Sequence, residues 1–123
     1  MLLLDSHVLL WYLDTGPDLS AQVRTRIDTE PSVFVSVVSA WELRIKSALG
    51  KLTMPDDLAA QLTAARFDVL PITLAHALAA GALPRHHRDP FDRMLVAQAQ
   101  LEGLTLVTHD VRMRPYSVPV LWA

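Results

Sequence analysis

Met1-Leu2-Leu3-Leu4-Asp5-Ser6-His7-Val8-Leu9-Leu10-Trp11-Tyr12 opens the chain. Three consecutive leucines read as a short strand buried on both faces, since a strand with one wet face would alternate. A carboxylate ends the run at Asp5. Val8, Trp11 and Tyr12 follow at helical spacing, so a helix turns back from the carboxyl end of the strand.

Strands and helices alternate in the rest of the chain. Gly16-Pro17 breaks the first helix, and Ser20 caps a second through about Asp28. Val33–Ser36 is the second strand. A helix follows from about Ala40 to Leu49, with Trp41, Ile45 and Ala48 on one face and Gly50 as its stop. Pro55 fits the first turn of the next helix, which runs to about Arg66, with Asp56 and Asp57 near its positive end. Asp68–Leu70 is the third strand. Thr73 caps a helix ending near Leu83, and Pro84-Arg85-His86-His87-Arg88 forms a basic loop. Asp89-Pro90 starts the clearest helix, with Phe91, Met94, Leu95 and Leu101 as its apolar stripe and Gly103 at its end. Leu104–Val107 is the fourth strand. Val118–Leu121 is a fifth, on an edge because Pro119 lacks a donor. The expected fold class is α/β: a single domain over 1–123, with a parallel sheet of four to five short strands flanked by helices.

Composition narrows the chemistry. Half of the residues are hydrophobic and a fifth are charged, a globular balance. There is no cysteine, which excludes disulfides, zinc–thiolate sites and thiol nucleophiles and fits a reducing cytoplasm. The opening residues lack a basic segment and reach Asp5 too soon for a secretory signal, and no apolar run has the length of a membrane span. With a formal net charge of −2, any nucleic-acid contact must come from a local patch.

Asp5, Glu42, Asp92 and Asp110 are the candidate chemistry. Asp5 and Asp110 each follow an apolar strand, and Glu42 and Asp92 fall at the starts of helices. In open parallel sheets that end of the strands is where ligands bind. A cluster of these acids cannot stay fully ionised without a cation, and oxygen ligands suit hard divalent ions such as Mg²⁺. The same residues also read as helix caps. Ser39-x-x-Glu42 fits a capping box, Asp89 an N-cap before Pro90, and Asp92 a favourable third helical residue. Ser6 and Thr108 adjoin two of the acids, and their hydroxyls suit a supporting role. Arg44, Lys46, Lys51, Arg85, Arg88 and Arg93 are candidate phosphate contacts near the cleft. His86 and His87 read as part of a solvated basic loop, His76 as non-catalytic and His109 as flanking the site. Trp11, Trp41 and Trp122 read as core or dimer contacts. No Gly-rich phosphate loop and no H-E-x-x-H spacing occurs.

With these residues in place, the chain resembles the PIN domains, and among them the VapC-type ribonuclease toxins of bacterial toxin–antitoxin pairs. The resemblance rests on Leu-Leu-Leu-Asp5-Ser-His-Val-Leu-Leu-Trp, Val-Ser-Ala-Trp-Glu42-Leu, His87-Arg-Asp-Pro-Phe-Asp92-Arg-Met-Leu-Val-Ala-Gln-Ala and Leu-Val-Thr108-His-Asp110. It implies strand order 3-2-1-4-5, and Mg²⁺ or Mn²⁺ held by Asp5, Glu42, Asp92 and Asp110. It also implies RNA cleavage by metal-activated water, with Asp89 in a supporting place. The implied partners are a small antitoxin and RNA, with a homodimer besides.

Other readings compete. A phosphoaspartate phosphatase wants a second acid two residues after Asp5, where His7 stands. A receiver-like domain wants an aspartate after the third strand, where Leu70-Pro71 stands. A nuclease for DNA flaps would need strand-threading elements that this length does not supply. A non-catalytic PIN-like scaffold binding RNA or protein is the alternative outside the enzymes.

Overall fold

The computed structural model describes residues 1–123. The strands are β1 (Leu2–Leu4), β2 (Val33–Ser36), β3 (Asp68–Leu70), β4 (Thr105–Thr108) and β5 (Val120–Trp122). They form one 5-stranded sheet in the order β3-β2-β1-β4-β5, with every neighbouring pair parallel. The helices are α1 (Ser6–Asp14), α2 (Ala21–Thr29), α3 (Val37–Ala48), α4 (Leu58–Ala64), α5 (Leu74–Ala82) and α6 (Pro90–Glu102).

The opening leucines occupy the centre of the sheet. Leu4 is in register with Val35 on one side and Val107 on the other. Leu2, Leu3 and Leu4 are all completely buried. Successive side chains on a strand face opposite ways. Leu2 and Leu4 accordingly pack with Val8, Val23, Ile27 and Leu62, while Leu3 packs with Leu95, Val96 and Leu106. Covering the sheet on both faces favours strands that are apolar throughout, as the central β1 is. No helix is long and apolar enough to cross a membrane.

Most local signals are realised. Ser20 accepts from Val23 N–H at 3.2 Å, Thr73 caps α5, and Asp89 accepts from Phe91 N–H at 2.8 Å with Pro90 opening α6. Gly103 takes φ 67° at the end of α6, a conformation that glycine adopts without strain.

Five expectations need correction. Helix α3 begins at Val37, earlier than expected, because Ser36 at the end of β2 caps it through Val38 N–H at 3.0 Å. Ser39 is therefore inside the helix with its buried hydroxyl unpartnered, and the Ser39–Glu42 capping box does not form. Helix α4 starts at Leu58, so Pro55 precedes the helix rather than opening it. Leu101 is exposed; α6 instead buries Leu95 through Ala99, wedged among the sheet, α3 and α5. The last strand starts at Val120, and Pro119 serves through its carbonyl, which accepts from Leu106 N–H at 2.9 Å.

Candidate active site

Because every strand runs the same way, the carboxyl ends of β1, β2 and β4 share one edge, and the acids that follow them meet there. Asp5 caps α1, accepting from Val8 N–H at 2.8 Å through Oδ1. Its Oδ2 accepts from the Thr108 hydroxyl at 2.5 Å. Asp5 is 6% exposed, and burial pushes its carboxyl above the ordinary range, although both hydrogen bonds act the other way.

Glu42 reaches the same edge from the second turn of α3. Its Oε1 accepts from the Ser6 hydroxyl at 2.6 Å, and its Oε2 lies 2.9 Å from Lys46 Nζ, one turn further along the helix. Asp92 lies in the first turn of α6. Burial, then the neighbouring charge of Asp89, pushes its carboxyl up to about 7, with Glu42 adding to the effect. Asp110 follows β4 and accepts Arg112 in a fork, at 2.8 Å from Nη2 and 3.0 Å from Nε. That guanidinium holds the Asp110 carboxyl below the usual range. The charge of Glu42 acts on both Asp5 and Asp92, so the two halves of the site sense each other. Caps and cluster coincide: Asp5 and Asp110 each cap the start of a helical turn and also line one hollow at this edge.

Sequence reading missed His87. Expected in a solvated loop, it is buried, with Nε2 2.8 Å from Asp92 Oδ2 and 3.6 Å from Asp110 Oδ2. The available signal was its place just before the helix N-cap at Asp89, which aims it at the same helix start as Asp92. His109 is exposed, its ring against Trp11, and His76 is buried in the capping box of α5.

The candidate phosphate contacts divide. Arg44, Lys51, Arg85 and Arg88 are exposed. Lys46 is paired with Glu42. Arg93 points its guanidinium at backbone, 2.9 Å from the Ala80 carbonyl and 3.0 Å from those of Leu83 and Pro84, so it braces the basic loop. Arg85, Arg88 and Arg93 line a polar hollow of about 460 Å³ beside His87. Trp11 packs partly into the core, and Trp41 is 58% exposed with its ring edge-on to Phe91.

The donor set fits a hard divalent ion. Asp5, Glu42, Asp92 and Asp110 offer carboxylate oxygens, and the ligand atoms of His87, Asp92 and Asp110 already lie within 4.8 Å of one another. The elevated Asp92 carboxyl marks a buried place beside the negative charges of Asp89 and Glu42.

Fold and site together define a small α/β domain with an acidic cleft at the carboxyl edge of a parallel sheet. The chain belongs to the PIN-domain family, matching it over residues 2–118, and is VapC-like. It is 33% identical to Ribonuclease VapC22 of Mycobacterium tuberculosis (strain ATCC 25618 / H37Rv), over 95% of this chain and 92% of that protein. The fold is shared with a DNA-bound VapBC from Salmonella typhimurium at TM-score 0.73 and 18% identity, covering 98% of this chain and 96% of that one. FitAcB from Neisseria gonorrhoeae shares it at TM-score 0.70 and 22% identity, with the same coverage.

Proposed function

We propose that this chain is a metal-dependent endoribonuclease and the toxin of a toxin–antitoxin pair. The convergence of Asp5, Glu42, Asp92 and Asp110 on one edge of the sheet carries the reading. The likeness to a protein named a ribonuclease supports RNA as the substrate.

Asp5, Glu42, Asp92 and Asp110 would hold Mg²⁺ or Mn²⁺. When bound, such an ion supplies Lewis acidity toward phosphoryl oxygens and lowers the pKa of water for in-line hydrolysis. The chain's own residues prepare the site. Thr108 orients Asp5 and Ser6 orients Glu42 through short hydrogen bonds. Lys46 neutralises Glu42 until a cation takes its place. Arg44, Lys51, Arg85 and Arg88 contact the RNA backbone, contributing affinity that weakens with salt.

The relatives' assemblies support a small antitoxin as partner, since similar folds occur in VapBC and in a toxin–antitoxin complex from Klebsiella pneumoniae. The half-buried Trp11 and Tyr12 of α1 lie on the antitoxin or homodimer face, and the cytoplasm is the compartment. The test is cleavage of a mixed RNA pool, including tRNA and rRNA, with Mg²⁺ or Mn²⁺ and with chelator, beside Asp5→Asn. Cutting that requires both metal and Asp5 supports the reading. No cutting by folded, metal-replete, antitoxin-free protein favours a binding scaffold.

A further inference from the structure

We propose that His87 is a positioning residue for the acidic site, an imidazole that holds the Asp92 and Asp110 carboxylates side by side without itself ligating the cation. The inference rests on the metal-dependent reading above and adds a residue outside the acidic quartet. The two carboxylates arrive from different elements, one from the first turn of α6 and one from the segment after β4. Like charges so placed repel, and a hydrogen-bond donor between them, a cation, or a proton on one of them offsets that repulsion. His87 Nε2 occupies the gap, at 2.8 Å and 3.6 Å from their oxygens.

The other ring nitrogen is compatible with this role. Asp89 N–H faces His87 Nδ1 at 3.5 Å; with Nδ1 as the acceptor, Nε2 carries the hydrogen. An N–H directed into the gap has no lone pair to give a metal. The ion is left an oxygen-only ligand set, which suits Mg²⁺ and Mn²⁺.

The imidazole is itself fixed. Its side chain is 5% exposed. Its backbone N–H donates to Tyr116 Oη at 3.0 Å, and its carbonyl accepts from Arg93 at 3.4 Å. Arg93 also grips the loop leading to it through the carbonyls of Ala80, Leu83 and Pro84. The geometry of two ligating carboxylates is set from outside the ligand set, as second partners commonly do at metal centres.

The experiment titrates MnCl₂ alone into the full-length chain by calorimetry. Wild type, His87→Ala, His87→Gln, Tyr116→Phe and Asp5→Asn are compared, each checked for folding by metal-free melting. Nitrogen coupling is recorded in the electron paramagnetic resonance of bound Mn²⁺. The expected result is an affinity loss of roughly 10–100-fold in His87→Ala, the range for residues that orient metal ligands. His87→Gln, which keeps a donor, recovers part of it, Tyr116→Phe loses affinity in the same direction, and wild type shows no nitrogen coupling. Wild-type affinity in both His87 variants overturns the proposal. So does nitrogen coupling that disappears in His87→Ala, which would make the imidazole a ligand. If His87→Ala does not fold, His87→Gln and Tyr116→Phe decide by the same readings. Wild-type affinity in Asp5→Asn with a loss in His87→Ala would sink the quartet reading and leave the His87 role standing. No Mn²⁺ binding by wild type overturns both.

Discussion

The Thr108 hydroxyl donates to Asp5 Oδ2 at 2.5 Å, joining groups 103 positions apart in the chain. Both side chains are buried, so neither oxygen can turn to bulk water instead. Thr108 Oγ1 also accepts from Asp110 N–H at 3.1 Å, which makes one hydroxyl the link between the acids that follow β1 and β4. Thr108→Val keeps the shape and removes both bonds. The expected cost is about 1–3 kcal/mol in urea unfolding, the scale for leaving buried polar atoms unpaired, together with weaker Mg²⁺ binding.

Asp5→Asn leaves the cap on α1 able to accept from Val8 N–H but removes a charge that burial disfavours. Its melting temperature should equal or exceed that of wild type. RNA cleavage should fall by roughly 100-fold or more, given the several kcal/mol that a bound metal's Lewis acidity contributes. Melting curves and single-turnover cleavage, measured on one preparation, separate the two effects.

Lys46 Nζ lies 2.9 Å from Glu42 Oε2, and the pair raises the ammonium pKa above its ordinary value. Lys46→Met should bind Mg²⁺ more tightly, because the ion no longer competes with a tethered charge. Without metal the variant should be less stable, since buried Glu42 loses its counter-charge. Calorimetry and metal-free urea curves check the opposite signs, and a loss of Mg²⁺ affinity would rule out competition.

The pH dependence of the metal-free protein carries the signature of Asp92. Its carboxyl titrates near 3.8 when unfolded and at about 7 when folded. Between those values the folded chain holds a proton that the unfolded chain has lost, so stability falls as pH rises. The Asp92 contribution is fully present below the unfolded value and is lost as pH rises through about 7. Asp110 acts in the opposite sense, being depressed, and favours the folded state above its unfolded value. The urea midpoint of Asp92→Asn should therefore decline less than that of wild type from pH 4 to pH 7. Mg²⁺ affinity of wild type should climb over the same interval, as the carboxylate becomes free to bind.

What was legible in the sequence was local. Leu2-Leu3-Leu4 needed only its neighbours to read as a buried strand, and Asp89-Pro90 needed only the helix it begins. The side-by-side placement of β1 and β4 was not legible in this way, because nothing near Leu3 specifies Leu106; strand order followed from family likeness. Helix α3 was started late because Val37 and Val38 are β-branched and extend the look of a strand, while Ser36 and Ser39 compete as caps. His87 was lost among Arg85, His86 and Arg88, since its burial is set by Tyr116, 29 positions further on. Arg93 was read by its charge, whereas its role in the fold comes from carbonyls up to 13 positions behind it.

The central place of β1 has a consequence for synthesis. During synthesis β1 can take one neighbour early, β2, but its other neighbour, β4, follows only after six helices and two further strands have been made. Until that pairing closes, Asp5 lacks the Thr108 hydroxyl and the Asp110 carboxylate is not yet beside Asp92. A translation product interrupted before β4 therefore has no assembled acidic cleft. The order of the strands thus holds back assembly of the acidic edge until β4 has been made.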